Sequence, residues 1–307
     1  MELRQLRYFV RVVELGSMGK AATELGVVTS ALSQQISRLE SELATRLLTR
    51  TSSGAVPTDA GLAFWRQAQL ALRHVDDAVD AAKQARLSGH VSVGMAPSTT
   101  GVLGLPFMLA MRERYPDVRL RMVESLSGHL TSMLMSRQID LAILFKADAG
   151  RFSVVPLLTE RLFLIAAHGF AGKTFAEPVS LDEVTRLPLI LPTATHGLRA
   201  LLAEAFSRAQ AEPNIVAEID GLAMLMDAVR AGIGVTIQPG SALARLDQSA
   251  FGMHALAEDY AQRPNLLVSL SDDELSPAGL AARVVLADVV RELVRAGRWI
   301  GATLHDR

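Results

Sequence analysis

The sequence reads as a multidomain chain: an N-terminal all-α head with a helix-turn-helix and a small wing, a long linker helix, then two α/β subdomains. Three observations predict it. Ser17 to Arg50 hold two short amphipathic helices separated by a glycine turn. Residues 59–87 carry one long apolar stripe, and everything after Ser88-Gly89 alternates short apolar strands with helices. The implied domains are 1–58, 59–88 and 89–307.

In the head, Ser17 can cap a helix whose apolar positions are Met18, Ala21, Ala22 and Leu25, and Gly26 suits the positive φ that follows its end. Val28 and Thr29 open a second helix, with Leu32, Ile36, Leu39 and Leu43 at three- and four-residue spacing. Its other side carries Ser30, Ser33, Gln34, Ser37, Arg38 and Ser41. Short hydrogen-bonding side chains near a helix N-terminus suit base edges and phosphates, because the backbone there can approach the groove closely. The same pattern also fits an ordinary helical hairpin with a serine-rich solvent face.

Leu47 to Thr58, with a Ser-Gly tip, reads as a two-stranded hairpin or wing. Thr58 to Gly61 opens a helix that can run to about Leu87, roughly 45 Å. Leu62, Trp65, Leu72, Val75, Val79 and Ala82 form its narrow stripe, which suits burial on a partner helix or on the helix's own domain.

Further along, strands are expected over 90–96, 118–124, 141–145, 161–167, 188–191, 215–219, 235–237 and 265–270. Helices are expected over 101–114, 129–135, 198–209, 221–231 and 277–295. This alternation predicts open, mostly parallel sheets with helices on both faces. It is too long for one small sheet, so two lobes are expected: lobe I near 89–160 and 266–307, lobe II near 161–265.

Composition narrows the function classes. Half of the 307 residues are apolar, enough for a sizeable core, yet no apolar run reaches the roughly 20 residues of a membrane span. The start, MELRQLRYFV, is amphipathic and charged, unlike a secretory signal, so a cytoplasmic protein is expected. There are no cysteines, and the seven histidines lack metal-ligand spacing, so neither metal nor cofactor is expected. Net charge is −1, but residues 1–58 hold seven Lys/Arg against five Asp/Glu, leaving the remainder at −3. That is a weak electrostatic footprint for nucleic acid. No G-x-S-x-G, H-E-x-x-H or P-loop occurs, and Gly232 and Gly234 lead into a strand without a third glycine. No catalytic residues are assigned.

Open α/β sheets bind ligands where strands give way to helices. Ser98, Thr99 and Thr100 follow the first strand, Ser127 the second, and Thr193 and Thr195 a later one; Phe145 and Lys146 end another. Each cluster alone also suits plain helix capping. Three at equivalent positions indicate a small-molecule pocket between two lobes, open to an anion at the helix N-termini. His129 and His196 stand at the same kind of junction.

The whole chain resembles the LysR-type transcriptional regulators. The resemblance is carried by Leu6-Arg7-Tyr8-Phe9, Gly16-Ser17, Ala21-Ala22, Ala31-Leu32-Ser33-Gln34-Gln35-Ile36, Leu39-Glu40, Leu43, Leu48-Thr49-Arg50 and Pro57-Thr58-Asp59-Ala60-Gly61. Further along, Ile139-Asp140-Leu141-Ala142-Ile143 and Gly232 through Pro239 fit the effector-domain pattern. LRYFV, ALSQQ and VSVGMAP are similar to the nitrogen assimilation control subgroup. The resemblance implies a winged helix-turn-helix, a dimerising linker helix and a two-lobed effector domain of periplasmic-binding-protein type. By position it places Thr29, Ser30, Ser33 and Gln34 on bases, Arg38 near bases or backbone, and Arg50 and Thr58 on phosphates. It assigns the effector to Ser98, Thr99, Thr100, Ser127, Phe145, Thr193 and Thr195. Val28-Thr29-Ser30 stands where Ser-Gln-Pro is usual, and Gln34 where many members have arginine.

The expected partners are promoter DNA, a small effector compatible with an anion, and further copies of the chain as dimer or tetramer; RNA polymerase is an additional candidate, and no membrane is expected. The rivals are a regulator that needs no inducer and is set by abundance, a solute-binding protein without a DNA role, and an α/β enzyme.

Overall fold

The computed structural model describes all residues except 52–53, 84–86, 173, 176, 195, 272 and 306–307, and omits the side chains of 50–51, 77 and 80–83. The chain divides into two compact units, Met1–Ala85 and Arg86–Arg307.

The first unit holds α1 (Leu3–Leu15), α2 (Met18–Glu24), α3 (Thr29–Glu42), β1 (Leu48–Thr51), β2 (Gly54–Pro57) and α4 (Asp59–Lys83). The Glu2 amide donates to the Gln5 side chain at the start of α1, and Gly16, at φ 62°, ends it. Ser17 caps α2, accepting from the Lys20 amide at 3.3 Å. Gly26 adopts φ +65° in the turn to α3. Val28 precedes α3 in extended conformation and supplies no side-chain cap. Leu32, Ile36 and Leu39 bury against Phe9, Val12, Ala21, Ala22 and the wing residues Leu48 and Ala55.

Helix α3 also holds the wing. Glu40 Oε1 accepts from the Leu47 and Leu48 amides at 2.7 and 3.0 Å. Strands β1 and β2 pair antiparallel from Leu48↔Pro57 to Thr51↔Gly54, and the Ala55 amide donates to Gly16 O at 2.9 Å. A β-carbon at Gly54 would lie 2.2 Å from that same oxygen, so only glycine allows the approach. On α4, Phe64, Trp65, Ala68, Ala71 and Leu72 pack on Leu6 and Val10 of α1, whereas Leu62 and Val79 stay exposed. The stripe thus serves its own unit over Phe64 to Leu72 and leaves apolar surface at Leu62 and Val79.

The second unit holds β3 (Gly89–Met95), α5 (Pro97–Thr99), a π-helical turn Thr100–Gly104 leading into α6 (Leu105–Arg114), β4 (Val118–Glu124), α7 (Ser127–Met135), β5 (Leu141–Leu144) and β6 (Ser153–Ala167). Then follow α8 (Leu181–Thr185), β7 (Leu189–Leu191), α9 (Gly197–Arg208), β8 (Ile215–Glu218), α10 (Leu222–Arg230), β9 (Thr236–Pro239), β10 (Phe251–Ala255), β11 (Gln262–Ser269), α11 (Pro277–Arg295) and β12 (Ala302–Leu304). Strand β3 pairs parallel with β4 and β5, and β7 with β8. The expectation of mostly parallel sheets fails at β6, which pairs antiparallel with β9, β10, β11 and β12.

Strand β6 is also 15 residues long where seven were expected. Its first half pairs with β11 and β12, and its second half, from Leu162, with β9 and β10. One strand therefore passes between two cores. The first packs α6 and α11 on Val91, Val93, Ile143 and Leu158; the second gathers Leu164, Leu189, Leu191, Leu202 and Ile237.

The uncapped start of α3 yields a prediction. Val28→Ser restores an acceptor for the first-turn amides, worth about 1 kcal/mol. Amide exchange of Ala31 in the full chain is expected to slow about fivefold by the same principle; unchanged exchange would refute it.

Candidate functional site

On α3 the two faces separate cleanly. Thr29, Ser30, Gln34, Ser37, Arg38 and Ser41 are exposed and Ser33 is half-buried, opposite Leu32, Ile36 and Leu39. Gln35 turns the other way and accepts from the Gln5 amide group at 3.4 Å. The α1 cations are engaged: Arg4 with Glu2, Arg7 with Asp76, and Arg11 with Glu14 and Glu24. Arg38 has no ion pair among the described residues, so its charge stays available on the polar face. The Arg50 side chain lies outside the described residues. Thr58 Oγ1 donates to Arg46 O at 2.8 Å and accepts from the Gly61 amide at 3.0 Å, which fastens the wing to α4. With its proton engaged in this way, that hydroxyl has none to offer a phosphate.

In the second unit the junction residues differ in what they do. Ser98 is buried and its Oγ accepts from Arg263 Nη1 at 3.1 Å. Thr99 is fully buried, donating to Asn265 Oδ1 at 3.4 Å. Thr100 Oγ1 donates to Ala96 O within its own helix. Thr193 donates through its amide and hydroxyl to Asp220, each at 2.9 Å. Thr195 lies outside the described residues. Gly197 presses on lobe I: a β-carbon there would sit 2.4 Å from Ser127 Oγ and 3.5 Å from the Phe145 ring. The fold therefore brings Ser98, Ser127 and Phe145 together, while Thr99, Thr100 and Thr193 bond within their surroundings.

The cavity at this meeting point is lined by Ala96, Pro97, Ser98, Pro192, His196, Asp220, Leu222, Leu225, Gln238 and Arg263. Its volume is about 20 Å³, the room of a single water. Arg263, and the buried polar residues bonded behind it, were not foreseen. Glu160 is 0% exposed and Arg263 1%. Arg263 donates to Glu160 Oε2 through Nε at 2.9 Å and Nη2 at 2.5 Å, and its guanidinium lies 4.1 Å from the Phe145 centroid. Asn265 donates to Glu160 Oε2 at 2.8 Å, while Ser241 and Trp299 donate to Oε1 at 2.6 and 2.7 Å. Burial pushes the Glu160 pKa up, but the Arg263 charge and these hydrogen bonds outweigh it and hold it below the usual carboxylate value. Asp220 is held low by the Thr193 amide first.

His196 accepts from the Leu198 amide at Nδ1, 3.1 Å, which leaves its proton on Nε2. Burial, and then the Arg263 charge, lower its pKa, against Asp220. The one signal in the sequence was His196 at a strand-to-helix junction.

Two predictions follow from this geometry. Glu160→Ala strands the Arg263 charge and three neutral donors, so chemical denaturation is expected to show a loss of about 3–5 kcal/mol; a loss under about 1 kcal/mol, the scale of an exposed pair, would contradict it. Below pH 6.5, the ordinary histidine value, the unfolded chain gains a proton at position 196 before the folded chain does. Stability is therefore expected to fall as pH drops through that window, and His196→Asn, which keeps an acceptor for the Leu198 amide, should flatten the fall. Parallel profiles for both proteins would refute it.

Comparison with known proteins agrees with this architecture. The profile of the LysR substrate binding domain matches residues 84–295, and that of the bacterial regulatory helix-turn-helix protein, lysR family, matches residues 3–62. The nitrogen assimilation regulatory protein of Klebsiella aerogenes is 33% identical over 296 residues, covering 94% of this chain and 95% of that protein. Among solved structures, an OxyR C206 mutant of Corynebacterium glutamicum matches with TM-score 0.60 at 26% identity, over 99% of this chain and 97% of that one. Full-length CbnR complexed with its target DNA matches in fold, with TM-score 0.70 at 23% identity over 95% of this chain and 99% of that one.

Proposed function

Because the chain belongs to the LysR family of transcriptional regulators, with a helix-turn-helix DNA-binding domain and an effector-binding domain, we propose that its outward α3 face reads promoter bases. The observation that carries this is the exposed run Thr29, Ser30, Gln34 and Arg38, backed by Leu32, Ile36 and Leu39 in the core. Its first-turn amides have no side-chain cap, so they too can face phosphates or base edges. Gln34, an amide where the family often has a cation, suits adenine. Ser33 sits closer to the helix seat and Arg38 can serve backbone or base. Arg50 remains a phosphate candidate by position, whereas Thr58 acts as the joint between wing and linker.

The cleft between the lobes is the site at which a small effector would bias the regulator. Leu105, Met108 and Leu109 of α6, Val284 of α11, Val216 and Met224 leave apolar surface exposed, which suits self-association. Two copies would then place recognition helices in successive major grooves, about 34 Å apart. No helix among the described residues is long and apolar enough to cross a membrane, and a promoter partner puts the working protein in the cytoplasm. No cofactor or catalytic step is part of this reading.

In gel-shift titrations on a site selected in vitro by the full-length chain, Gln34→Ala is expected to lose about 1–3 kcal/mol at one base pair. Equal weakening on selected and random DNA would overturn the base-reading role.

A further inference from the structure

We propose that Arg263 is a built-in ligand: its guanidinium occupies the inter-lobe cleft from within the chain and holds the lobes together. The inference rests on the reading of that cleft as the regulatory site and deepens it. Around the guanidinium stand the elements of a recognition box. Glu160 receives Nε and Nη2 along one edge, Ser98 receives Nη1 on the other, Ser241 lies 3.4 Å from Nη2, and the Phe145 ring lies beneath at 4.1 Å. A carboxylate oxygen that receives two guanidinium N–H groups, a hydroxyl and an aromatic face together recognise a planar cation. The carboxylate is itself aimed by Trp299 and Asn265, so the box is preorganised.

Balancing the charge of Arg263 requires Glu160 alone. The contacts with Ser98 and Phe145 do something more. Both belong to the strand-to-helix junctions of lobe I, whereas Ser241 comes from the turn after β9, so one side chain ties the lobes. Gly197 seals the other side against Ser127 and Phe145. What remains is about 20 Å³, bordered by the Asp220 carboxylate and His196. An anionic metabolite gains little here, since the arginine is already neutralised and a second carboxylate borders the space. The ligand chemistry of this box is that of an alkylguanidinium, and the chain supplies it.

The test uses full-length Arg263→Ala and N-methylguanidinium. The variant is expected to lose the wild-type footprint on a site selected by the wild-type chain and to melt earlier. Millimolar N-methylguanidinium should restore both, while methylammonium should restore neither, and wild type should be indifferent to either compound. An Arg263→Ala protein that footprints as wild type, or that shows no melting shift with N-methylguanidinium, overturns the proposal. Should that variant fail to fold, Glu160→Gln/Arg263→Met removes both charges together. It is expected to lose the wild-type footprint and ignore N-methylguanidinium; a wild-type footprint from this double variant overturns the proposal. Wild-type chain that selects no DNA at all would sink the regulatory reading instead, and the melting shift of Arg263→Ala would still decide whether the box exists.

Discussion

A carboxylate with no exposed surface survives as an ion only if every lone pair finds a donor. Glu160 meets that condition through donors drawn from distant parts of the chain: Arg263 and Asn265 on β11, Ser241 after β9 and Trp299 after α11. Glu160 and Arg263 face one another directly in the β6–β11 ladder, and strand alternation brings Asn265 to the same side. A slip of one residue would turn one of the two charges to the other face of the sheet and leave each unpaired. The ion pair therefore fixes register at the strand that runs between the two cores, and the shape of the cleft depends on that register.

The same pair explains why so little space remains between the lobes. Ser98 and Phe145 are engaged by Arg263, and Thr193 by Asp220, so the groups best placed for an external ligand are already satisfied. Gly197 lets the backbone of α9 approach Ser127 as closely as it does; any side chain there would meet the serine hydroxyl. In a protein that responds by shifting between shapes, an internal contact of this kind weights one shape, and an outside molecule counts only through its differential affinity.

How far the sequence foretold this varies by element. Leu32, Ile36 and Leu39 recur at helical spacing, so α3 and its polar face were legible. The strand-to-helix junctions named Ser98, Ser127 and Phe145 because the topology of α/β sheets fixes where such residues gather. Arg263 escaped notice because its partner is 103 residues away, and a lone arginine before a proline reads as a strand start on the solvent side. The first half of β6 was hidden by Pro156 and by the polar Thr159-Glu160-Arg161 run, which breaks the apolar pattern. Strands β10 and β12 are short and half-buried, leaving no period to read. In each case the deciding partner belongs to tertiary structure.

The head raises a separate question of strength. Of its cations, Arg4, Arg7 and Arg11 are paired, and among the described side chains of residues 1–58 only Lys20, Arg38 and Arg46 carry no ion pair. With Arg50, proposed above for a phosphate, four such contacts would give a salt slope of only about −4, well short of what strongly basic DNA readers reach. On the proposed reading, a single head with that footprint would hold DNA loosely at physiological salt. Linking two heads makes the second contact intramolecular and multiplies the affinity without any new interaction. On the function proposed above, the exposed Leu62 and Val79 on α4 and the apolar surface of α6 would bear on DNA binding as directly as α3: with so little charge to spend on the backbone, occupancy of a promoter would depend on how many copies arrive together.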